Sequence, residues 1–511
     1  MGGHSNRFYT LMNLVTGIVT VIVQFATSFF LSPFIVKALG TEANGYTQLA
    51  ANFVMYASLI TTAFNSMASR FISVAWHQGE KNKARRYWSS VYVANIALIA
   101  LLLPLAALVS FRLEHVIVIE NVDMLDVKLL FGCVFANFFI GLFSTMYSIS
   151  MYVKNAVFYS NILNCIRTIC NAVLLLVVFR CLPVRIFYVS MVAAVLSLAL
   201  LPIYARYQKK LLPEISFKFS DFSIKAIKEI CISGIWNSIN QCGHLFMTGL
   251  DLLLSNWFIS PLTMGLIAVS KTIPSAIIHL GSTINSNFSP SITQTWAEGD
   301  RTKLLQELRT AIKLSTLILS IPIVTFCCLG SSFYTLWQPT LDAQTLTVLS
   351  FLGCMSFIPL AGTQILFNVF TAANKLKVNS MSFLITGIIN VVIVYAGLKI
   401  YPEYGMYIIT GASSILMIIR SLVIILPYVS WILGLKWYIF YKDIAVTMAC
   451  CMVNMAIAII VTRILPITGW STLITDGMVI ATMSVAAEGY LLLTKSQRRK
   501  VIELIKHLRP R

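Results

Sequence analysis

Charged residues are scarce in this chain, and acidic residues are the scarcer sign. Only 11% of the 511 residues are charged, with 19 aspartates and glutamates against 38 lysines and arginines. Hydrophobic residues account for 58%, and the mean hydropathy is +0.82. Because soluble globular domains carry about 25% charged residues, this composition excludes a soluble globule and indicates a membrane protein.

Motifs of catalysis and metal binding are missing as well. The sequence has no Walker motif, GxSxG, HExxH or helix-opening GxGxxG. Its 11 cysteines include no CxxC and no cluster with histidine, which favours small, reduced packing residues. No N-terminal segment resembles a cleavable signal peptide. We therefore expect no enzyme activity, no cofactor and no bound metal.

Long apolar segments predict an all-α polytopic membrane protein. A helix needs about 20 apolar residues to cross the hydrocarbon core, and fourteen segments approach or exceed this length. They lie near 8–38, 44–77, 86–111, 127–151, 156–180, 185–207, 227–257, 262–296, 303–330, 342–372, 377–399, 404–432, 440–464 and 471–493.

The net charge of +19 is explained by membrane topology. Most lysines and arginines outside the predicted spans fall in the loops on the same side as the two termini. Cytoplasmic loops are the ones enriched in these residues, so both termini are expected in the cytoplasm. The surplus charge therefore requires no DNA or RNA partner, and no nucleic acid is expected.

A signature occurs twice, at a constant offset of 220 residues, where a long apolar segment meets a basic loop. Such a repeat is too long for a solenoid unit and predicts two homologous lobes, the usual architecture of alternating-access transporters. The same offset relates Gly45 to Gly265 and Asn65 to Asn285. The signature is Trp76, Gly79, Glu80, Lys81 and Lys83 in the first copy, and Trp296, Gly299, Asp300, Arg301 and Lys303 in the second.

The repeat divides the chain into five parts. We expect two pseudo-symmetric six-helix lobes joined by a basic cytoplasmic linker and followed by a C-terminal helix pair. The last residues form a basic tail, either an amphipathic helix on the anionic inner leaflet or a solvated segment. The boundaries are 1–208, 209–226, 227–432, 433–494 and 495–511.

Polar side chains recur at helical spacing within several predicted spans. Gln24 belongs to a stripe of amides and hydroxyls in the first span, Asn237 and Gln241 to a stripe in the seventh, and Asn285 to one in the eighth. Two interpretations stay open. The stripes could line a hydrophilic cavity between the lobes, or they could join helices by hydrogen bonds.

Among the basic residues of the predicted spans, four are candidates for substrate contact: Arg70, Arg167, Lys271 and Arg420. A cationic cavity suits an anionic solute, since guanidinium donors match phosphate oxygens. Arg167 could instead pair with Asp251 or Glu488. The alternatives are a structural pair for Arg420 and an interfacial position for Arg70.

His244 and Asp251 lie seven residues apart in the seventh span, on one face of a regular helix. A histidine titrates near neutrality, and burial shifts a carboxylate toward the same range. The pair is therefore a candidate for proton or sodium coupling. The alternative is that His244 is a hydrogen-bonded packing residue.

The fourteen spans and the repeated basic loops resemble the polysaccharide transporter branch of the multidrug/oligosaccharidyl-lipid/polysaccharide exporter superfamily, the O-antigen and capsule repeat-unit flippases. The resemblance lies in 69–80, in the turn 374–379 and in 387–390. It implies an inner-membrane flippase for undecaprenyl-pyrophosphate-linked oligosaccharide, driven by an ion gradient. Its implied partners are membrane lipids, a polysaccharide polymerase and a chain-length regulator.

The first helix of this chain lacks charged residues that two related branches of the superfamily carry there, which favours the polysaccharide transporter branch. Lipid II flippases of the superfamily place arginines within the first helix, whereas this chain has Gln24 and hydroxyls there. Multidrug exporters often carry an acid in the first helix, and none is present. A proton- or sodium-coupled multidrug or small-solute exporter remains the alternative, with Asp251 as its acid. A membrane-embedded polymerase or ligase is less favoured, because the longest external loop, 112–126, is short and acidic.

Overall fold

The computed structural model describes residues 3–492, and this part of the chain contains helices and no β-strand. The predicted all-α class is confirmed. The helices are α1 (Gly3–Leu39), α2 (Thr41–His77), α3 (Lys81–Phe111), α4 (Met124–Val153), α5 (Phe158–Cys181), α6 (Tyr188–Leu211), α7 (Ile224–His244), α8 (Asp251–Phe258), α9 (Pro261–Ser270), α10 (Thr272–Glu298), α11 (Arg301–Trp337), α12 (Ala343–Cys354), α13 (Phe357–Leu360), α14 (Phe367–Ala372), α15 (Leu376–Ile400), α16 (Gly405–Arg420), α17 (Leu426–Ile432), α18 (Tyr441–Ile464) and α19 (Trp470–Leu492).

Eleven helical segments in the described residues are long and apolar enough to cross a membrane. They correspond to eleven of the fourteen predicted spans. The other three are α2, the segment from α7 to α8, and the segment from α12 to α14. A π-helix, Leu245–Gly249, separates α7 from α8, and the predicted span 342–372 is broken into α12, α13, a 3₁₀ turn and α14. The count of fourteen spans and the cytoplasmic termini stay predictions.

Equivalent positions of the repeat adopt the same backbone conformation. Gly79 and Gly299 end α2 and α10 with φ of 80° and 76°. Asn155 and Asn374 lie 219 residues apart, one residue short of the repeat offset, and both have φ of 54° in the turns that precede α5 and α15. Left-handed conformations of this kind favour glycine and asparagine. The repeat therefore ends corresponding helices by the same local chemistry.

The chain divides into two compact units, 1–269 and 270–511. This division differs from the lobe boundary predicted at 209–226, because α7 packs along α2 and so joins the first unit. The lobes rest on the sequence repeat and stay a prediction. The basic tail 495–511 lies outside the described residues.

In the first unit, the core forms where α2, α3 and α7 pack together, around Ile72, Trp88 and Ile230. Nearby, α2 and α9 approach so closely that a Cβ on Gly45 would lie 2.9 Å from the Cα of Gly265. These two glycines are equivalent in the repeat. A contact between equivalent positions is what a two-fold related duplication produces.

In the second unit, the largest core cluster joins α10, α11, the segment α13–α14, α17 and α18. A smaller cluster joins α11, α18 and α19 through residues such as Leu329, Ala458 and Ile480. The C-terminal helix pair therefore packs on α11. This arrangement positions the polar groups that α18 and α19 bury.

Candidate functional site

Arg167 lies near the middle of α5 and is half-buried. Its Nη1 donates to Ser197 Oγ on α6 at 3.2 Å, and Ser197 Oγ donates to Asn137 Oδ1 on α4 at 2.7 Å. Within the described part of the first unit, no carboxylate lies within ion-pair distance of Arg167, so the pair with Asp251 is not formed. The guanidinium therefore carries a positive charge that only dipoles offset.

The sequence pattern did not identify the two residues that orient Arg167. Asn137 stands before two phenylalanines on α4, and Ser197 is one of two serines on α6. A single asparagine in an aromatic segment is the signal that points to Asn137, since an amide in an apolar helix needs a partner. Nothing in the sequence distinguishes Ser197 from its neighbours.

Arg70 is exposed near the end of α2. One helical turn earlier, Ser66 accepts a hydrogen bond from Asn237 Nδ2 of α7 at 3.2 Å. Residues four apart lie on the same face of a helix. The structure therefore brings two predicted site residues, Arg70 and Asn237, to one face of α2.

The polar stripe of the first helix has a mixed role. Asn13 donates to the carbonyl of Asn155 at 2.9 Å, and Thr20 donates to the carbonyl of Asn161 at 3.2 Å. These bonds join α1 to the start of α5, as expected of polar residues that hold helices together. Gln24, in contrast, is exposed.

His244 and Asp251 lie in different environments. His244 is exposed and its Nδ1 lies 3.0 Å from Thr248 Oγ1, whereas Asp251 is only 3% exposed. The π-helix between them adds residues to one turn, so a spacing of seven no longer places both on one face. Gln241, three residues before His244, is half-buried.

The π-helix is held by α2. Asn52 Nδ2 and Tyr56 Oη both donate to the carbonyl of Gly249, at 3.0 and 2.7 Å. A π-turn leaves backbone acceptors without their usual helical donors, and side chains of a neighbouring helix satisfy them here. Such segments are frequent at functional sites, which draws attention to Asp251 immediately beyond it.

In the second unit, Arg420 is 3% exposed at the end of α16. Its Nη2 donates to the backbone oxygen and to Oδ1 of Asn379 at 3.0 and 2.5 Å, and its Nε donates to Ser382 Oγ at 3.2 Å. The guanidinium also lies 4.8 Å from the ring of Phe383. The fold itself uses most of its donors.

Lys271 and Asn285 also lie in the second unit. Lys271 is half-buried in the turn between α9 and α10, where a continuous helix was expected. Asn285 accepts from Asn368 Nδ2 at its Oδ1 and at its backbone oxygen, at 2.6 and 3.1 Å. Asn285 thereby joins α10 to α14.

Two carboxylates of the acidic loop 112–126, Glu114 and Asp126, form ion pairs with basic residues. Lys128 Nζ lies 2.5 Å from Glu114 Oε2, and this hydrogen bond holds the pKa of Glu114 below its usual range. Arg185 Nη1 lies 2.9 Å from Asp126 Oδ1. These contacts give the carboxylates a local structural role, and they offer no support for a catalytic loop.

The fold is that of known flippases and multidrug exporters. A structure described as "Lipid II flippase MurJ, inward closed conformation" matches with a TM-score of 0.69 and 13% identity, over 95% of this chain and 100% of the other. An inward-facing multidrug resistance MATE family transporter of the MOP superfamily matches with a TM-score of 0.63 and 12% identity, over 81% and 98%. At such identities the likeness defines the fold alone.

The family follows from the sequence comparison. Residues 10–296 match the model of the polysaccharide biosynthesis protein family, and the chain belongs to this family. A curated relative, the uncharacterized membrane protein EpsK of Bacillus subtilis (strain 168), is 28% identical over 495 residues, covering 96% of this chain and 97% of its own length. The resemblance predicted from the sequence is confirmed.

Proposed function

We propose that this protein is a flippase that moves undecaprenyl-pyrophosphate-linked oligosaccharide repeat units across the cytoplasmic membrane during surface polysaccharide biosynthesis. The observation that carries the proposal is membership of a polysaccharide biosynthesis family in a chain with a flippase fold. The lobes rock between inward- and outward-facing states in an alternating-access cycle. The lipid tail stays in the bilayer while the sugar–pyrophosphate head crosses.

Arg167 is the first candidate for pyrophosphate contact. A guanidinium has five N–H donors, and the described structure assigns one bond to Arg167, from Nη1 to Ser197. Phosphate oxygens accept paired donors from arginine. Because no carboxylate in the described part of its unit pairs with Arg167, its positive charge favours the approach of an anion.

The other candidate residues are divided between contact with substrate and support of the fold. Arg70 and Lys271 supply further positive charge to the pyrophosphate, and Gln24, Asn237 and Gln241 supply amide groups to sugar hydroxyls. Arg420 and Asn285 are assigned to the fold rather than to substrate, because their side chains already bond Asn379, Ser382 and Asn368.

An ion gradient drives the cycle in this proposal. Asp251 is the candidate coupling group, since it is buried next to the π-helix. His244, exposed at the end of α7, is the second candidate coupling group. A polysaccharide polymerase and a chain-length regulator are the partners that would receive the translocated product.

A multidrug or small-solute exporter is the second candidate. The observation that favours it is the match to MATE multidrug transporters over more than four-fifths of this chain. Such exporters take organic cations, for which an uncompensated Arg167 is unfavourable. The charge at Arg167 therefore separates the two candidates.

The test uses a host deleted for this gene. Lipid extracts and surface polysaccharide are measured together, before and after complementation with the wild-type gene. Accumulated lipid-linked repeat units with loss of surface polymer would support the flippase. Normal surface polymer, no accumulated intermediate and sensitivity to cationic drugs would support the exporter.

A further inference from the structure

Glu488 is a completely buried carboxylate in the second unit. It lies on α19 with 0% exposure. Ser320 Oγ of α11 donates to Glu488 Oε1 at 2.5 Å, and Asn454 Nδ2 of α18 donates to the same oxygen at 2.6 Å. The second oxygen, Oε2, is buried and has no hydrogen-bond partner. Side chains from three helices therefore meet at this carboxylate, but only one of its two oxygens is hydrogen-bonded.

Among the side chains that the structure describes, no basic one forms an ion pair with Glu488. The titratable groups that face it are the thiols of Cys450 and Cys451 on α18. On α11 the nearest charged residue in sequence is Lys313, two helical turns before Ser320, and on α19 it is Asp476, three turns before Glu488. An ionised carboxylate buried without a cation is costly by several kcal/mol or more. The site is thus short of one positive charge.

Two further buried oxygens, one on α18 and one on α19, also lack hydrogen-bond partners. Asn454 Oδ1 and Ser484 Oγ are buried without hydrogen bonds. Asn454 already contacts Glu488, and Ser484 lies one helical turn before it on the buried face of α19. A carboxylate, an amide oxygen and a hydroxyl form an oxygen-only donor set. Hard cations prefer such sets, and a single carboxylate balances a single positive charge.

We propose that Glu488, Asn454, Ser484 and Ser320 form a binding site for one Na⁺ ion between α11, α18 and α19. The ion bonds Glu488 Oε2, Asn454 Oδ1 and Ser484 Oγ, while Ser320 orients the carboxylate through Oε1. A proton competes with Na⁺ for the same carboxylate. The site is separate from Asp251 and does not depend on which substrate the protein carries.

The site has a structural consequence for the C-terminal helix pair. Binding places one ion among side chains from α18, α19 and α11, so the ion ties the pair to the rest of its unit. A ligand that binds only the folded state raises its stability in proportion to the logarithm of ligand concentration. Sodium should therefore stabilise the purified protein against unfolding.

The experiment uses the full chain purified in detergent. Equilibrium binding of ²²Na⁺ and thermal unfolding are measured in NaCl and in choline chloride at equal ionic strength. We expect one bound Na⁺ per wild-type chain and a higher midpoint of unfolding in NaCl, with both effects lost in Glu488→Gln. Asp476→Asn is the matched control, because it removes another buried carboxylate of α19, 1% exposed, and should keep both effects.

Two outcomes would overturn the proposal. The first is a wild-type protein that binds no ²²Na⁺ at alkaline pH, where proton competition is weakest; Glu488 would then hold only a proton. The second is unchanged binding in Glu488→Gln. If that variant fails to fold, Ser484→Ala takes its place, since it removes one proposed ion ligand and no hydrogen bond, and unchanged Na⁺ affinity in it would refute the site.

Discussion

Arg167 and Arg420 look alike in the sequence, because each lies near the middle of a predicted apolar span, yet their surroundings in the structure differ. Arg420 is 3% exposed and gives donors to Asn379 and Ser382. Arg167 is half-buried, has one bond to Ser197 and has no carboxylate partner in its unit. The fold uses the donors of Arg420 in its own hydrogen bonds, whereas the described structure assigns one bond to Arg167. This difference is why we propose Arg167, and not Arg420, for contact with substrate.

The largest expected effect is on transport by Arg167→Ala. We expect surface polymer to disappear and lipid-linked repeat units to accumulate, because the pyrophosphate loses its guanidinium partner, while the amount of protein in the membrane stays unchanged. Lysine at 271 has the same predicted role, so Lys271→Ala should act likewise. Complementation of the deleted host, with immunoblots of membranes, provides the measurement.

The matched control for Arg167→Ala is Arg185→Ala. Arg185 also belongs to the first unit, but its guanidinium pairs with Asp126 and its side chain is 45% exposed. Asp126 is only 10% exposed, so this variant should lose some stability by leaving a buried carboxylate without its partner. It leaves Arg167 and its hydrogen bond in place and should keep transport. Wild-type polymer in both Arg167→Ala and Lys271→Ala would show that neither cation binds the substrate.

The opposite phenotype is expected of Arg420→Ala. Hydrogen bonds to charged groups contribute about 1.5–3 kcal/mol each, so the variant should unfold at lower temperature and accumulate poorly. Thermal unfolding of detergent-purified protein measures this. Arg420→Lys, which keeps the charge but lacks the planar fork, should lie between wild type and Arg420→Ala. If Arg420→Ala were fully stable but did not transport, Arg420 would contact substrate, and the proposed difference between Arg420 and Arg167 would be wrong.

Gly265→Ala shows what a purely structural defect in the first unit does, for comparison with the loss of a substrate contact at Arg167. In Gly265→Ala the new Cβ would lie 2.4 Å from the carbonyl oxygen of Thr41, a rigid backbone atom. Overpacking of this kind costs about 1–3 kcal/mol, so the protein should lose stability and transport together. Gly132→Ala on α4 meets nothing within 4 Å and should behave as wild type. Equal stability of the two variants would show that α2 and α9 can separate without cost.

The smallest expected effect is that of Ser197→Ala. Removing this hydroxyl breaks the link between Arg167 and Asn137 but leaves the guanidinium in place. The loss of one such bond is worth about 1 kcal/mol, so transport should fall about fivefold. Ser197→Thr retains a hydroxyl and should restore most of it. A fall as large as that of Arg167→Ala would mean that position, rather than charge, limits transport.

The sequence predicted the helices well, because apolar length and turn chemistry are local. Gly79 and Gly299, or Asn155 and Asn374, specify their turns through their own backbone preferences. The π-helix before Asp251 was not predictable, since Asn52 and Tyr56 stabilise it from another helix. The contacts of the candidate site residues likewise depend on packing between helices, which the sequence alone does not show.

Periodicity showed that Asn13, Thr20 and Gln24 share a face, but only packing shows which of them bond α5. Glu488 is a second residue whose partners the sequence did not identify. The sequence suggested it as a partner for Arg167, whereas in its own unit it bonds Ser320 and Asn454. The identity of a partner across helices is a tertiary property, and no local pattern encodes it.

The central claim is that this protein moves a lipid-linked oligosaccharide through contact with Arg167. The most direct measurement reconstitutes the purified protein in liposomes with undecaprenyl-pyrophosphate-linked oligosaccharide labelled on its sugar, and follows the fraction accessible to an external glycosidase. We predict transfer between leaflets by the wild type, and none above empty liposomes by Arg167→Ala. Equal transfer by both proteins, or none by the wild type under any imposed ion gradient, would contradict the account.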